Sequence, residues 1–523
     1  MLVRYTASAD NTIVNAFQAN LRTRGTGANA GAADILETFS IYGRQTTSSQ
    51  ELSRILVQFP VSKISSDRST GIIPASGNVS FYLRMYNAPH SKTVPRDYTL
   101  SVLPIAQSWQ EGDGLDLEDY KDTTKGNVGS NWVSASNALP WTGSSYATYN
   151  SVGGAYRTGS SDPKFSANFP IGIEDLEIDI TPLVEHWIAG TISNYGVGVH
   201  FSSSLEASAS VGDNVSDHVV LPLTGGSTDS YYTKRFFSRT SQFFFLKPNI
   251  EARWDSSVKD DRGSFYLSSS RAPSADNMNT IYFYNVVRGR LVNLQDIGLG
   301  EVAVSLFSGS ANDSVPSGSA LSMYNSAIVV TGGYVSTGIY SCSVCLPSSS
   351  YNTLYDVWFK PEDKIASADL SSTQYFTGAI EPMVFDEGGM SSQQPKYYLA
   401  ISNLQSRYAA NDTVRMNLFV RQKNWSPTIY SVANSTVESQ TIVSASYKVY
   451  RILDGYEAIP YGTGSDNHTM LSYDVNGSYF NVDMELLEPG YAYGVKFSFY
   501  DDVIDSWIEQ EQSFKFRVEN YEY

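Results

Sequence analysis

The chain has 523 residues, enough for two to four domains that each bury a core, and it carries 36 Lys+Arg against 53 Asp+Glu for a formal net charge of −17. That balance offers no basic stripe for nucleic acid, the two cysteines cannot make a disulfide framework, and no apolar run reaches the ~18 residues of a membrane-spanning helix. With 36 Tyr, 24 Phe and only 17% charged residues, the composition favours pleated, half-buried surfaces and points to an all-β chain.

The opening Met1-Leu2-Val3-Arg4-Tyr5 has no apolar core of signal-peptide length, so the expectation is maturation without a signal peptide. From there to about residue 254 the pattern predicts one sandwich. Ile55, Val57 and Phe59 alternate with Leu56, Gln58 and Pro60, and Phe81 to Tyr86 repeats the alternation. Residues 181–190 break it. Thr181 is placed to cap a helix with Pro182 at its first position, Leu183, Val184, Trp187 and Ile188 follow helical spacing, and Gly190 closes it. One short helix plugging an end of the sandwich is therefore expected. Residues 111–170 are rich in Gly, Ser, Asn and Asp and read as an extended loop region, hence an interaction surface.

A charged connector, Lys259-Asp260-Asp261-Arg262, leads to a second predicted sandwich over 255–390, with strands such as Thr280 to Tyr284, Val302 to Phe307 and Tyr355 to Phe359. A third is predicted over 391–523, from Tyr397-Tyr398-Leu399-Ala400-Ile401 to a last strand at Phe514-Lys515-Phe516-Arg517-Val518. The fold class expected is thus three tandem antiparallel β-sandwiches: a jelly-roll-like one with a short helix, then two immunoglobulin/fibronectin III-like ones.

Several motifs carry a resemblance. Ala9-Asp10-Asn11-Thr12-Ile13, Ala28-Asn29-Ala30-Gly31 before Ile35-Leu36, Arg54 to Phe59, Trp109-Gln110-Glu111-Gly112, Ile178 to Gly190 and Tyr195 to Val199 occur in order. A late Phe236-Phe237-Ser238-Arg239 and a strand opening at Pro248 follow. Together they resemble the DNRLRE-type β-sandwich domain of bacterial surface and polysaccharide-associated proteins. The resemblance implies structural roles for Asp179 and Trp187, and packing for Trp109, Trp132 and Trp141. Gly338-Ile339-Tyr340-Ser341-Cys342 resembles the approach to a late immunoglobulin-like strand. Leu487-Glu488-Pro489-Gly490-Tyr491-Ala492-Tyr493 resembles the tyrosine corner of fibronectin III domains, which makes Tyr493 structural. The segment Lys396 to Thr428, with Lys423-Asn424-Trp425-Ser426-Pro427-Thr428 after a strand, resembles modular structural proteins of T4-like marine phages.

Chemistry-bearing patterns are sparse. His90, His186, His200, His218 and His468 lack metal spacing, and no nucleophile elbow, P-loop or zinc-protease motif occurs. His186, beside Trp187, reads as a half-buried helix-end imidazole, with a catalytic base as the sharper alternative. Cys342 and Cys345 have C-x-x-C spacing, but in a strand residues three apart face opposite ways, so two structural thiols are expected. The acidic run Glu111, Asp113, Asp116, Glu118, Asp119, Asp122 reads as a solvated loop; its calcium alternative would use Asp113, Asp116 and Asp119. Trp109, Trp132, Trp141 and Tyr146, read as exposed aromatics, could stack on sugar rings.

No catalytic residue, cofactor or resident metal is expected. The function expected is a non-enzymatic structural component of a tailed bacteriophage virion, in the neck or collar, tail or baseplate, assembled in the host cytoplasm. Its partners would be other virion proteins and further copies about a cyclic axis, without nucleic acid or membrane. The alternative is a carbohydrate-binding adhesin or fibre-type receptor-binding protein reading a surface glycan; a third is an accessory chain of a polysaccharide lyase or hydrolase.

Overall fold

The computed structural model describes residues 1–520 except 19–24, 45–48, 91–93, 116–128, 137–138, 143–149, 207–228, 230, 270–272, 274–275, 348–350, 364–373, 384–396, 424–438, 465 and 502–503. It is an all-β chain that divides into two compact units, Met1–Asp255 with Thr463–His468, and Ser256–Gly462 with Thr469–Tyr523.

The first unit contains β1 (Leu2–Thr6), β2 (Ala9–Val14), β3 (Ile35–Arg44), β4 (Ser49–Gln58), α1 (Val61–Ser69), β5 (Ser80–Met85), β6 (Tyr98–Pro104), β7 (Ser134–Ser136), β8 (Leu139–Thr142) and β9 (Asn150–Ser151). It continues through β10 (Phe165–Phe169), β11 (Leu176–Asp179), α2 (Thr181–Ile188), β12 (Val197–Phe201), β13 (Tyr232–Phe237) and β14 (Asn249–Arg253). A four-stranded sheet, β1-β14-β5-β11, faces a seven-stranded one, β10-β6-β12-β4-β3-β13 with β2 added on β4. Strand alternation fills the space between them: Phe81, Leu83, Met85, Ile250 and Ala252 from one side meet Ile55, Val57, Leu100, Val102 and Val199 from the other.

The other face of the seven-stranded sheet is also covered. Leu56 and Leu52 on β4 and Ile13 on β2 join Ile105, Trp109, Trp132, Ala135, Trp141 and Ala155 in a second core. The segment between Trp109 and Tyr156, expected to stand clear as a loop, is therefore in its described parts a cover, with β7, β8 and β9 forming a small sheet of their own. The tryptophans explain this: three large rings, Trp109, Trp132 and Trp141, all lie buried in that core.

Helix α2 lies where the sequence places it, burying Leu183, Val184 and Trp187. Thr181 is its first residue and not its cap; its hydroxyl accepts from Phe81 N at 2.7 Å, while Asp179 Oδ1 accepts from Thr181 N at 2.8 Å. Gly190 follows with φ +72°, the left-handed conformation that ends a helix. Helix α1 is an addition to the expected single helix. Its apolar signal is confined to Val61 and Ile64, and its third buried residue, Asp67, is held by the Tyr5 hydroxyl at 2.9 Å. Arg68 and Glu185 join the two helices by paired bonds of 2.7 Å.

The second unit begins with β15 (Asn279–Tyr284), β16 (Val286–Val287), β17 (Arg290–Leu291), β18 (Glu301–Gly309), β19 (Pro316–Ser317), β20 (Val330–Ser336), β21 (Ile339–Val344), β22 (Leu354–Phe359) and β23 (Gln374–Ile380). Its seven-stranded sheet, β15-β21-β20-β18-β22-β23 with β19 on β18, folds over on itself. Phe283 and Phe376, from opposite edges of that order, stack at 5.5 Å, over a core of Ile281, Leu306, Tyr340, Val344 and Trp358.

The unit continues with β24 (Tyr397–Ile401), β25 (Arg407–Ala409), β26 (Thr413–Gln422), β27 (Ala445–Arg451), β28 (Glu457–Ile459), β29 (Ser472–Asp474), β30 (Gly477–Asp483), β31 (Ala492–Asp501), β32 (Ser506–Glu509) and β33 (Phe514–Glu519). These form a sandwich of β24-β26-β30-β29 on β25-β33-β31-β27-β28, with β32 on β31. Phe480 bridges the layers, 4.5 Å from Tyr447 and 5.5 Å from Phe497. Among the described strands all pairs are antiparallel except β25–β33. The connector expected between sandwiches is itself fastened: Lys259 bridges in parallel to Tyr473, Asp261 accepts from the Tyr473 hydroxyl at 2.9 Å, and Arg262 pairs with Asp356 at 2.5 and 2.6 Å.

Candidate functional site

The densest set of polar side chains in the first unit gathers where β2, the loop after it and the Trp109–Gly114 segment meet. Asp10 and Asn11 have alternate partners because successive residues of a strand face opposite ways. Asp10 N donates to Glu111 Oε1 at 2.8 Å, and Asp10 Oδ2 accepts from Arg239 N at 2.6 Å. Glu111 in turn takes the Arg239 guanidinium in two bonds of 2.6 Å. Asn11 donates to Ser130 and accepts from Ala30 N at 3.0 Å. Asn29, 1% exposed, donates to the Glu111 and Ser130 carbonyls at 2.7 Å and accepts from Gly31 N and Gly114 N.

Glycine is obligatory around that asparagine. A Cβ on Gly112, which has φ +85°, would lie 2.3 Å from Asn29 Oδ1, and one on Gly114 would lie 2.0 Å from the Asn29 carbonyl oxygen. Burial pushes the Asp10 carboxyl up to about 7, with Glu111 adding to the rise and the Arg239 N–H opposing it. The set ties three distant segments together.

A second buried set lies under the cover segment. Arg54 is bound by Glu206 at 2.7 and 3.2 Å and by the Gly153 carbonyl at 2.7 Å, and stacks over Trp132 and Tyr156. His200 Nδ1 is 2.8 Å from the Phe201 carbonyl, and burial holds its imidazole below the ordinary value. In this cluster three N–H groups of the Arg54 guanidinium are taken by Glu206 and the Gly153 carbonyl, and His200 Nε2 is buried without a hydrogen-bond partner among the described residues.

The third set is the outer face of the four-stranded sheet, an ionic ladder. Arg4 stands opposite Glu251 and Arg84 opposite Glu177 in the register. Glu251 takes Arg4 at 2.9 Å and Arg253 at 2.5 and 2.9 Å, and Arg253 reaches Glu177 and Asp466 at 2.9 and 3.0 Å. Burial alone would raise Glu251, but Arg4, Arg84 and Arg253 bring it down to about 2. Elsewhere in the unit, Lys234 is fully buried and donates to Asn87, Gly172 and Glu174 at 2.7, 3.0 and 2.7 Å; burial lowers it to about 8.

The residues singled out from sequence fall as follows. Trp132 and Trp141 are 1% and 0% exposed, so neither offers a face to a sugar; packing, the reading implied by the resemblance, replaces glycan contact for both. Trp109 is buried with its indole N–H donating to the Tyr195 carbonyl at 2.8 Å. Asp113 is exposed, and Asp116 and Asp119 lie outside the described residues, as do Tyr146, His218 and Asn424 to Thr428. Glu111, counted in the acidic run, is half-buried and paired with Arg239. Among the described residues no three His, Cys, Asp or Glu side chains are grouped to hold a metal ion.

His186 is exposed and not half-buried as expected, with Nδ1 2.8 Å from the Thr191 hydroxyl, and Trp187 is 5% exposed on the inner face of α2. Asp179 caps the turn before that helix. Tyr493 is fully buried and donates to the Glu488 carbonyl at 2.8 Å, five residues back. Cys342 and Cys345 are free and buried; Cys342 lies in β21, burial pushes its thiol up to about 12, and Cys345 falls one residue beyond the strand.

Sequence reasoning missed Asn29, Arg239 and the glycines as a unit. Glu111 and Asn29 are 82 residues apart, and polar side chains leave no periodicity to follow.

No protein-family model matches the sequence, and no curated protein does. Among solved structures, the chain is similar to E. coli alpha-2-macroglobulin in its native conformation, with 7% identity and a TM-score of 0.15 over 97% of this chain and 28% of that one. It is similar to a Salmonella alpha-2-macroglobulin mutant at 9% identity and a TM-score of 0.14, over 99% of this chain and 34% of that one. The chain spans about a third or less of the length of those proteins, and likeness at this level carries no argument about function.

Proposed function

We propose that the chain is a non-enzymatic structural component of a tailed-phage particle, built from a DNRLRE-like sandwich followed by immunoglobulin- and fibronectin III-like ones. It works by docking rigid β modules onto other virion proteins. One observation carries the reading: the ionisable clusters at the sequence landmarks are consumed internally, with Glu111 on Arg239, Glu206 on Arg54 and Glu251 on Arg4 and Arg253. Each ties a loop or strand into place, which suits a brick better than a catalyst, whose acids and bases must reach a substrate. Burial of Trp132 and Trp141 takes two of the candidate stacking rings away from the adhesin alternative.

The test is location. Antibody against the purified chain should label intact particles at a fixed site, and imaging of the native assembly should place the sandwiches there at a defined copy number. Recovery of the chain only away from particles, or turnover of a polysaccharide, ester or peptide that survives further purification, rejects the reading. Specific retention on a glycan array would favour the adhesin instead.

A further inference from the structure

Lys234 occupies a place in the first unit that alternation reserves for an apolar residue. It lies in β13 on the same face as Phe236, and Phe236 fills the core between the two sheets. The lysine is 0% exposed, and its Nζ sits 4.9 Å from the centre of the Phe169 ring and 5.2 Å from that of Phe236. A lysine is seldom buried completely unless an anion pairs with it. Here the three hydrogen-bond partners are neutral oxygens: Asn87 Oδ1 at 2.7 Å, and the carbonyls of Gly172 and Glu174 at 3.0 and 2.7 Å.

What those partners do depends on the proton of the amine. Burial lowers Lys234 to about 8, so a sizeable share of it is neutral near that pH, where an exposed lysine is almost all charged. The neutral amine has two N–H groups, and the two backbone carbonyls accept them. Its lone pair then takes the third direction, towards the Asn87 amide. With a C=O bond of about 1.23 Å, Asn87 Cγ lies within about 4 Å of Nζ, next to the ~3–3.5 Å of a near-attack geometry. A desolvated lysine amine is a nucleophile, and the amide carbon is the electrophile in front of it.

A carboxylate stands beside the pair. Glu174 and Asp175 both act on Lys234. Glu174 commits its two oxygens to Ile171 N and Gly172 N at 2.6 Å each, whereas Asp175 Oδ1 accepts from the Asn87 backbone N at 2.7 Å. The three groups come from separate places: Lys234 from β13, Asn87 from just after β5, and Asp175 from just before β11. Asn87 also bridges to Phe236, which brings the end of β5 in the four-stranded sheet against β13 in the seven-stranded one.

We propose that Lys234 and Asn87 join in an amide bond that cross-links the two sheets of the first sandwich, with Asp175 relaying the proton. The neutral Nζ attacks Cγ and the Nζ–Cγ bond forms. One Nζ proton passes by way of the Asp175 carboxylate to Nδ2, the Cγ–Nδ2 bond breaks, and ammonia leaves. Nothing is oxidised or reduced. Asn87 is half-buried, which gives the ammonia a way out, and the N–H left on Nζ still has the Glu174 carbonyl to bond. An amide is neutral, so the product no longer holds an ammonium among rings. The link closes a span of 147 residues in a unit without cysteine, since Cys342 and Cys345 both lie in the second.

The experiment is mass spectrometry of the full chain, intact under denaturing conditions and then after proteolysis. Wild type, held above pH 8 so that the amine is neutral, should be lighter than its sequence by one ammonia, and the digest should yield a branched peptide joining Lys234 to Asn87. K234M and N87A should have their full sequence masses. D175N, checked for folding by circular dichroism, should form the bond at least about tenfold more slowly; closure as fast as in wild type overturns the role given to Asp175. Wild type at its full sequence mass overturns the cross-link, as does an ammonia loss that persists in K234M or maps to another asparagine. The wild-type measurement decides the matter whether or not the variants fold.

Discussion

The two units bury polarity differently. The first holds whole charges inside: Glu251 and Lys234 are fully buried, Arg253 is 4% exposed, and Asp10 and Asn11 are sealed beside Glu111 and Arg239. The second closes its sandwiches with rings and hydroxyls, Tyr493 on Glu488, Tyr340 on Gly298 and Tyr355 on Asp313, with Arg262–Asp356 as its main buried ion pair among the described residues. The tyrosine bonds of the second unit each make one contact, across 5 to 42 residues. In the first unit landmarks such as Asn29 and Glu111, 82 residues apart, are joined by charged and amide groups with several directed bonds, which admit fewer wrong partners.

The contrast is most easily broken at Glu251. Glu251→Ala should leave Arg4 and Arg253 without their carboxylate and cost about 3–5 kcal/mol, seen in urea unfolding as a loss confined to the first unit. An equal loss in both units would mean that they do not differ as described.

Asp10 supplies a pH test. Its folded value of about 7 lies above the ordinary 3.8, so below pH ~4 both states are protonated and nothing is lost. As pH rises from there towards 7, the unfolded chain releases the proton while the folded one retains it, and stability falls by on the order of 2–4 kcal/mol. Above that the loss is constant. Asp10→Asn should flatten this fall, so that its advantage over wild type grows from pH 4 to 8 in matched melts; parallel profiles would remove Asp10 as the cause.

Gly112→Ala forces a Cβ onto Asn29 at a positive φ and should destabilise the first unit by about 2–3 kcal/mol, with Gly71→Ala, which has open space at a similar φ, costing less. The smallest effect belongs to the second unit. Tyr493→Phe keeps the ring and removes one bond to the Glu488 carbonyl, about 1–2 kcal/mol, visible only in that unit's transition.

What could be read from sequence tracks what leaves a period. Alternation in Arg54 to Phe59 located β4, and its apolar residues on both phases correspond to a strand buried on both faces, Ile55 and Val57 in one core and Leu56 in the other. Leu183, Val184 and Trp187 located α2 in the same way. Helix α1 was hidden because Lys63, Ser65, Ser66 and Arg68 dilute its two apolar contacts, and a buried Asp67 carries no hydrophobic signal. The Gly, Ser and Asn around the tryptophans read as an exposed loop region, although the resemblance implied packing for the rings themselves. Only the cover they form over the seven-stranded sheet shows that those small residues are there to let the rings in.

The pairing of β1 with β14 has a consequence in time. Arg4 meets Glu251 across 247 residues. At ribosomal rates that is roughly 10–50 s between the appearance of the first strand and that of the strand it must join. Until then Leu2 and Tyr5 have no sheet to enter. The nascent chain must keep β1 unpaired for that interval, so slowed translation of the codons between β1 and β14 should expose it to chaperones or to neighbouring nascent chains longer than any other strand of the unit.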